Sequence, residues 1–222
     1  MSRVKKVVLF FVLVFGLLLL STSVQGSGSV NVGGTFVNSD QATFKAGWKD
    51  TWEEGKWQRT WESDYIYKKA NDIKTLNEFY GSYKANYTFA PKHYVFAQAS
   101  YDYDEFREDG DRKVSAFGYG IKLLRTDKFK VSNEFSVGYL NTENYQETIW
   151  RNSLWFFFKL DDKYTLTNKF LYTIGDRSDV YIRNQTSFNY LLTDKITVGL
   201  SNTYTEDPID NNVLSINLGY NY

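Results

Sequence analysis

Cysteine is absent from all 222 residues. That removes disulfide frameworks, thiolate nucleophiles and thiolate metal sites. It also removes a lipid-modified cysteine behind an export signal. Proline occurs twice and histidine once, so a metal centre would find no second imidazole. Neither charge sign is in excess: 26 Lys and Arg stand against 26 Asp and Glu. That balance argues against a basic nucleic-acid surface and against acidic disorder. Beyond residue 20, no apolar run approaches the roughly 20 residues that a spanning helix needs. Phosphate loops, dinucleotide fingerprints, metal triads and nucleophile elbows are missing too. The chain is expected to be neither an enzyme nor a cofactor carrier.

The start of the chain is different. Arg3, Lys5 and Lys6 precede an apolar run at 7–20 broken only by Gly16, and Ser21, Thr22, Ser23 and Gly26 follow. This is the three-part pattern of a secretory signal peptide. The alternative, an uncleaved anchor, is disfavoured by the shortness of the run. Residues 1–26 are therefore read as a cleaved signal, cut between Ser23 and Gly26. Residues 27–222 are read as one domain.

That domain is rich in aromatics, 18% of the whole chain, which favour strands and gather at membrane interfaces. A short turn recurs with lysines at 56, 92, 128, 163 and 195, in steps of 36, 36, 35 and 32 residues. Large apolar residues flank each turn, for example Trp52 and Trp57, Phe89 and Tyr94, or Phe158 and Tyr164. A fixed period of this size marks a repeated unit, here a hairpin. Twelve strands follow, near 29–37, 41–52, 57–69, 74–89, 94–104, 113–124, 129–140, 147–160, 164–174, 180–191, 196–204 and 212–222. Most alternate apolar and polar residues with period two. In the last, Leu214, Ile216, Leu218, Tyr220 and Tyr222 share one parity, and Ser215, Asn217, Gly219 and Asn221 the other.

This pattern predicts an all-β fold, a transmembrane antiparallel up-and-down β-barrel of about 12 strands with one face to lipid and one to a polar lumen. An even strand number places both ends on the periplasmic side with the five lysine turns. The connections at 38–40, 70–73, 105–112, 141–146, 175–179 and 205–211 then face outward. Aromatic girdles are expected at Trp52, Trp57, Phe89, Tyr94, Phe158, Tyr164 and Tyr190 on one rim, and at Tyr65, Tyr67, Tyr101, Tyr103, Tyr139, Tyr172 and Tyr204 on the other. The alternative is a soluble sandwich or lipocalin-like barrel whose apolar face forms a core. Twelve strands in so few residues leave nothing to cover one of its sheets.

Four segments carry a family resemblance: Gly28 to Gly34 with Asn38, Ser39 and Asp40; Trp57, Gln58, Arg59, Thr60 and Trp61; residues 94–106 through Tyr94, Tyr101, Tyr103 and Phe106; and Phe135, Ser136, Val137, Gly138 and Tyr139. Together they resemble the YdiY-like, salt-stress-induced outer-membrane protein family, a domain of unknown function. Val37 departs from the glycine that often stands there. The resemblance implies an outer-membrane barrel of a Gram-negative-type envelope and a link to salt stress. It implies no reaction.

The candidate functional residues are the charges of the polar parity: Lys45, Lys49, Glu62, Asp64, Glu78, Lys84, Asp102, Glu134, Arg151, Lys159, Lys169 and Arg183. Both signs occur, so ion preference is not legible. Either they line a wet passage, or they pair across the lumen and close it. His93 reads as a solvated turn residue. The acidic run at 102–111 reads as a solvated loop, without the spacing of a calcium loop. Leu214, Ile216, Leu218, Tyr220 and Tyr222 read as an assembly signal for the barrel-assembly machinery. The expected role is a narrow passive channel or stress-responsive envelope protein. The alternative is a closed structural barrel binding lipopolysaccharide or a partner through its outer loops. Expected contacts are outer-membrane lipid, lipopolysaccharide and a small solute, not nucleic acid.

Overall fold

The structure, a computed structural model, describes residues 27–38, 41–70, 73–107, 110–176, 180–207 and 209–221. The expected signal peptide and Tyr222 lie outside the described residues. Twelve strands follow one another: β1 Ser27–Asn38, β2 Gln41–Glu54, β3 Trp57–Ala70, β4 Ile73–Ala90, β5 His93–Asp104, β6 Arg112–Arg125, β7 Phe129–Asn141, β8 Gln146–Lys159, β9 Tyr164–Gly175, β10 Tyr181–Leu191, β11 Ile196–Asp207 and β12 Ile209–Asn221. Each pairs antiparallel with its sequence neighbours, and β1 closes the sheet on β12 through Val30↔Tyr220, Val32↔Leu218 and Gly34↔Ile216. The chain has the transmembrane up-and-down barrel fold.

The turn chemistry explains the tight end. Gly55 takes φ +60°, a left-handed conformation open to glycine, and with Lys56 it links β2 to β3. Thr126 caps its turn by accepting from the Phe129 amide at 2.9 Å, and Asp161 accepts from Lys163 at 2.7 Å and Tyr164 at 2.9 Å. The opposite end differs from the expectation in one place. Residues 205–211 are not a loop, because β11 runs to Asp207 and β12 resumes at Ile209. Continued pairing, Thr205↔Asn211 and Glu206↔Asp210, satisfies the backbone better than an open loop. The length asymmetry between ends rests on 105–111 and 176–180.

Period-two alternation sorts the faces. Leu214, Ile216 and Leu218 are 57–59% exposed on the outside, while Ser215 between them is 0% exposed. Trp61, Phe79, Phe117, Phe135, Trp150, Phe188 and Leu200 are likewise exposed. A predominantly apolar exterior around a polar interior inverts a soluble barrel. It far exceeds the few hundred Å² of apolar patch that water tolerates. Lipid is the solvent in which this surface costs nothing.

His93 is not a solvated turn residue. It opens β5 on the outer face, hydrogen-bonds the Tyr119 hydroxyl through Nδ1, and packs in a triangle with Phe89 and Tyr119 at ring distances of 6.2 and 5.8 Å. Tyr94 is also corrected. It leaves the girdle for the lumen, 5% exposed, because it shares parity with Gln98 and Asp102.

Candidate functional site: a lumen divided by ion pairs

Inside the barrel, β3, β4, β7, β9 and β10 each project charge at middle height. Lys169 Nζ on β9 donates to Glu62 Oε2 on β3 at 3.2 Å. These strands lie six apart in either direction around the ring, so this pair spans opposite walls. Beside it, Arg183 Nη2 on β10 reaches Asp64 Oδ2 on β3 at 3.8 Å. Lys84 on β4 pairs with Glu134 on β7, which also accepts from the Tyr94 hydroxyl at 2.6 Å. Lys45 Nζ donates to Thr203 Oγ1 at 3.2 Å. Aromatic faces hold the cations further: Lys84 lies 4.3 Å from the Phe96 ring centre and Arg183 5.1 Å from that of Tyr80.

This belt divides the interior. Towards the short turns is a cavity of about 830 Å³, and towards the loops one of about 130 Å³. Glu62, Asp64, Lys84, Glu134 and Lys169 line both. A third space of about 30 Å³ lies beyond Asp64, against Glu78, Asp102, Asp104 and Arg107. At the loop end, Ile66, Leu76 and Val213 form a buried apolar cluster. Lys169 keeps 44% exposure within the lumen. Its ion pair is therefore partly screened. Removing one partner is expected to cost more than the ~1 kcal/mol of an exposed pair and less than the ~3–5 kcal/mol of a dry one.

Charge sign is sorted along the axis, which composition concealed. The large cavity is lined beyond the belt by Lys49, Lys56, Lys122, Arg125 and Lys130, against Glu53. The smallest is lined by Asp64, Glu78, Asp102 and Asp104, against Arg107 and Arg183. Among the twelve expected charges, Arg151 lines the middle cavity and Lys49 the large one. Lys159 does neither. It ends β8, and its ammonium sits 2.7 Å from Asp162 in the following turn, holding that exposed carboxyl below its usual range. Lys56, Lys122, Arg125 and Lys130 were missed because they sit next to turns. For Lys122 and Lys130 the available signal was parity with Gly120 and Glu134; Lys56 stands in a turn and Arg125 follows the bulge after Lys122, so alternation marked neither.

Inward aromatics were missed as well. Tyr94 and Phe96 pack over Gly120 and Gly118 of β6, where a Cβ would collide with their rings. Glycine at alternate positions of the polar face is thus the cradle for two lumenal rings. The described acids of the run at 102–111 are held internally: Arg107 pairs with Asp102 at 3.3 Å and Asp104 at 4.0 Å, Glu105 accepts from the Asn77 amide at 2.6 Å, and Asp111 accepts from the Tyr101 hydroxyl. Among the described residues, no group of three or more His, Cys, Asp or Glu is arranged to hold a metal ion.

A closed barrel with an apolar outside and a charged inside defines the class as that of transmembrane β-barrels. More particularly, the chain belongs to the family of proteins of unknown function DUF481, whose model matches residues 32–222. No curated protein matches it. Its fold is similar to that of the NanC porin, at 12% identity and a TM-score of 0.59, covering 87% of this chain and 98% of that one. An outer-membrane channel from Pseudomonas putida F1 is similar at 10% identity and a TM-score of 0.53, covering 88% and 94%. A KdgM porin solved with disordered oligogalacturonate is similar at 10% identity and a TM-score of 0.52, covering 87% and 98%.

Proposed function

We propose that the protein is a non-enzymatic outer-membrane barrel that forms a narrow passage shut at its waist by ion pairs. The observation that carries this is the Lys169–Glu62 bridge between opposite walls, with a cavity on each side of it. The five short turns, the start of β1 and the end of β12 face the periplasm, and the outer ends of β5, β6, β9 and β10 face outward towards lipopolysaccharide. The inner vestibule is cationic, so the favoured passenger is a small anion. The resemblance to a salt-stress-induced family fits this gate, because salt weakens it. The screening length falls from about 10 Å at 0.1 M to about 3 Å at 1 M.

Planar-bilayer recording tests the reading. Wild-type conductance is expected to rise faster than bulk conductivity as salt increases. A Glu62→Gln/Lys169→Met double variant is expected to conduct several-fold more at low salt and to track bulk conductivity. A second reading, a closed structural barrel, is favoured by the Ile66, Leu76 and Val213 cluster at the loop end. Silence of both proteins across all salts would establish that reading and discard the passage. Lipid and peptide hydrolysis assays are expected to show no turnover.

A further inference from the structure

Every acid that lines the middle cavity, the one of about 130 Å³, is already matched to a cation. Glu62 has Lys169 at 3.2 Å, Asp64 has Arg183 at 3.8 Å, Asp102 has Arg107 at 3.3 Å, and Glu134 has Lys84. Five cations line the same space: Lys84, Arg112, Arg151, Lys169 and Arg183. Arg112 lies 5.9 Å from the Tyr181 ring centre. Arg151 of β8 makes no ion pair, hydrogen bond or ring contact with any described residue. A guanidinium keeps its charge at every ordinary pH. Arg151 is therefore a permanent, unmatched positive charge in the lumen, with Lys84 as a like-charged neighbour.

The strands beside Arg151 add hydroxyls. Ser136 on β7 and Thr173 on β9 are its cross-strand partners, one on each side. Directly opposed side chains on one face lie about 5 Å apart, and all three residues line the cavity. Thr173 is 8% exposed, and its hydroxyl has no hydrogen-bond partner among the described residues. A buried hydroxyl left unpaired is costly, so an orphan of this kind marks a missing partner. The rest of the nearby lining is aliphatic: Val114, Leu140, Ile149 and Leu171.

We propose that this cavity binds a small organic monocarboxylate. Arg151 holds the carboxylate, Ser136 and Thr173 donate to it, and the aliphatic wall covers its tail. The charge follows from the pairing: one cation is left without a partner, so one negative charge balances it. A dianion would bring excess charge beside Glu62, Asp102 and Glu134. Guanidinium and carboxylate also match in shape, two parallel N–H donors to two oxygens. A water-sized group needs roughly 10–15 Å³ of such space, so a butyrate-sized ion fits in 130 Å³. The inference rests on the proposed passage and deepens it, because it names the class of small anion that the lumen takes. The cavity lies on the loop side of the belt, so its occupancy does not require the belt to open.

The test is calorimetric titration of butyrate into exported protein, purified from membranes and held in lipid nanodiscs at low chloride. Saturable binding by wild type is expected. Arg151→Gln is expected to weaken it roughly tenfold or more, and Thr173→Val, which removes only the hydroxyl, a few-fold. Lys159→Gln, a charge lost outside the lumen, is expected to leave it unchanged. Heat-modifiable mobility verifies that each variant is folded, and Thr173→Val carries the test if Arg151→Gln does not fold. Absence of saturable binding by wild type, or undiminished binding by a folded variant of either residue, would overturn the proposal. Phosphate or sulfate binding more tightly than butyrate would overturn the assignment to a monocarboxylate. Chloride binding as tightly as butyrate would leave only an adventitious counter-ion, and would overturn it too. Conductance is not a readout here: a barrel that binds butyrate but never conducts keeps this site and loses the passage.

Discussion

Gly120 and Tyr94 show how one side chain's absence positions another's charge contact. The Tyr94 ring lies over Gly120, and its hydroxyl donates to Glu134, the acid that also holds Lys84. Gly120→Val is expected to push the ring off this seat and to cost about 1–3 kcal/mol by overpacking. Urea-dependent folding in lipid vesicles measures that cost. Tyr94→Phe is expected to keep the ring and lose only the hydrogen bond, about 1–3 kcal/mol for a bond to a charged acceptor. Comparing the two separates packing from the charge contact. The residue scale was only half legible. Parity put Glu62, Lys84, Glu134 and Lys169 on one face, but nothing in the chain says which acid meets which base. Glu62 and Lys169 are 107 residues apart.

Strands are the scale at which the sequence spoke most plainly. Period two is set by the pleat, so apolar and polar sets separate without tertiary information. All twelve strands stand where alternation put them, and the main difference is the β11–β12 hairpin, which pairs further than its polar composition suggested. β12 also allows a clean contrast. Ile216 faces out at 57% exposure, and Ser215 faces in, bonded to Ser201 at 2.8 Å. Ile216→Arg is expected to destabilise the inserted barrel by about 2–4 kcal/mol, the cost of a cation near the middle of the lipid face. Refolding into vesicles of defined lipid reads this directly. Tyr222 is argued from the sequence alone, as the end of the expected assembly signal. Its deletion is expected to lower the yield of heat-modifiable barrel in the outer membrane, and an unchanged yield would remove that role.

For the whole molecule, the axial sorting of charge has the clearest consequence. A cationic vestibule on one side of the belt and an acidic pocket on the other make an asymmetric field. Once the belt opens, current is expected to rectify, and the reversal potential in a salt gradient is expected to favour anions. Lys49→Glu/Lys130→Glu, which inverts two vestibule charges, is expected to reduce both effects, measured in the Glu62→Gln/Lys169→Met background. The sequence by itself determined the strand number and the two faces, because period-two alternation is a local property of the chain. Closure of β1 on β12 and the meeting of Lys169 with Glu62 were decided only by the tertiary structure. Each depends on which strands become neighbours or opposites around the ring. That is a property of the closed sheet, not of any stretch of residues within it.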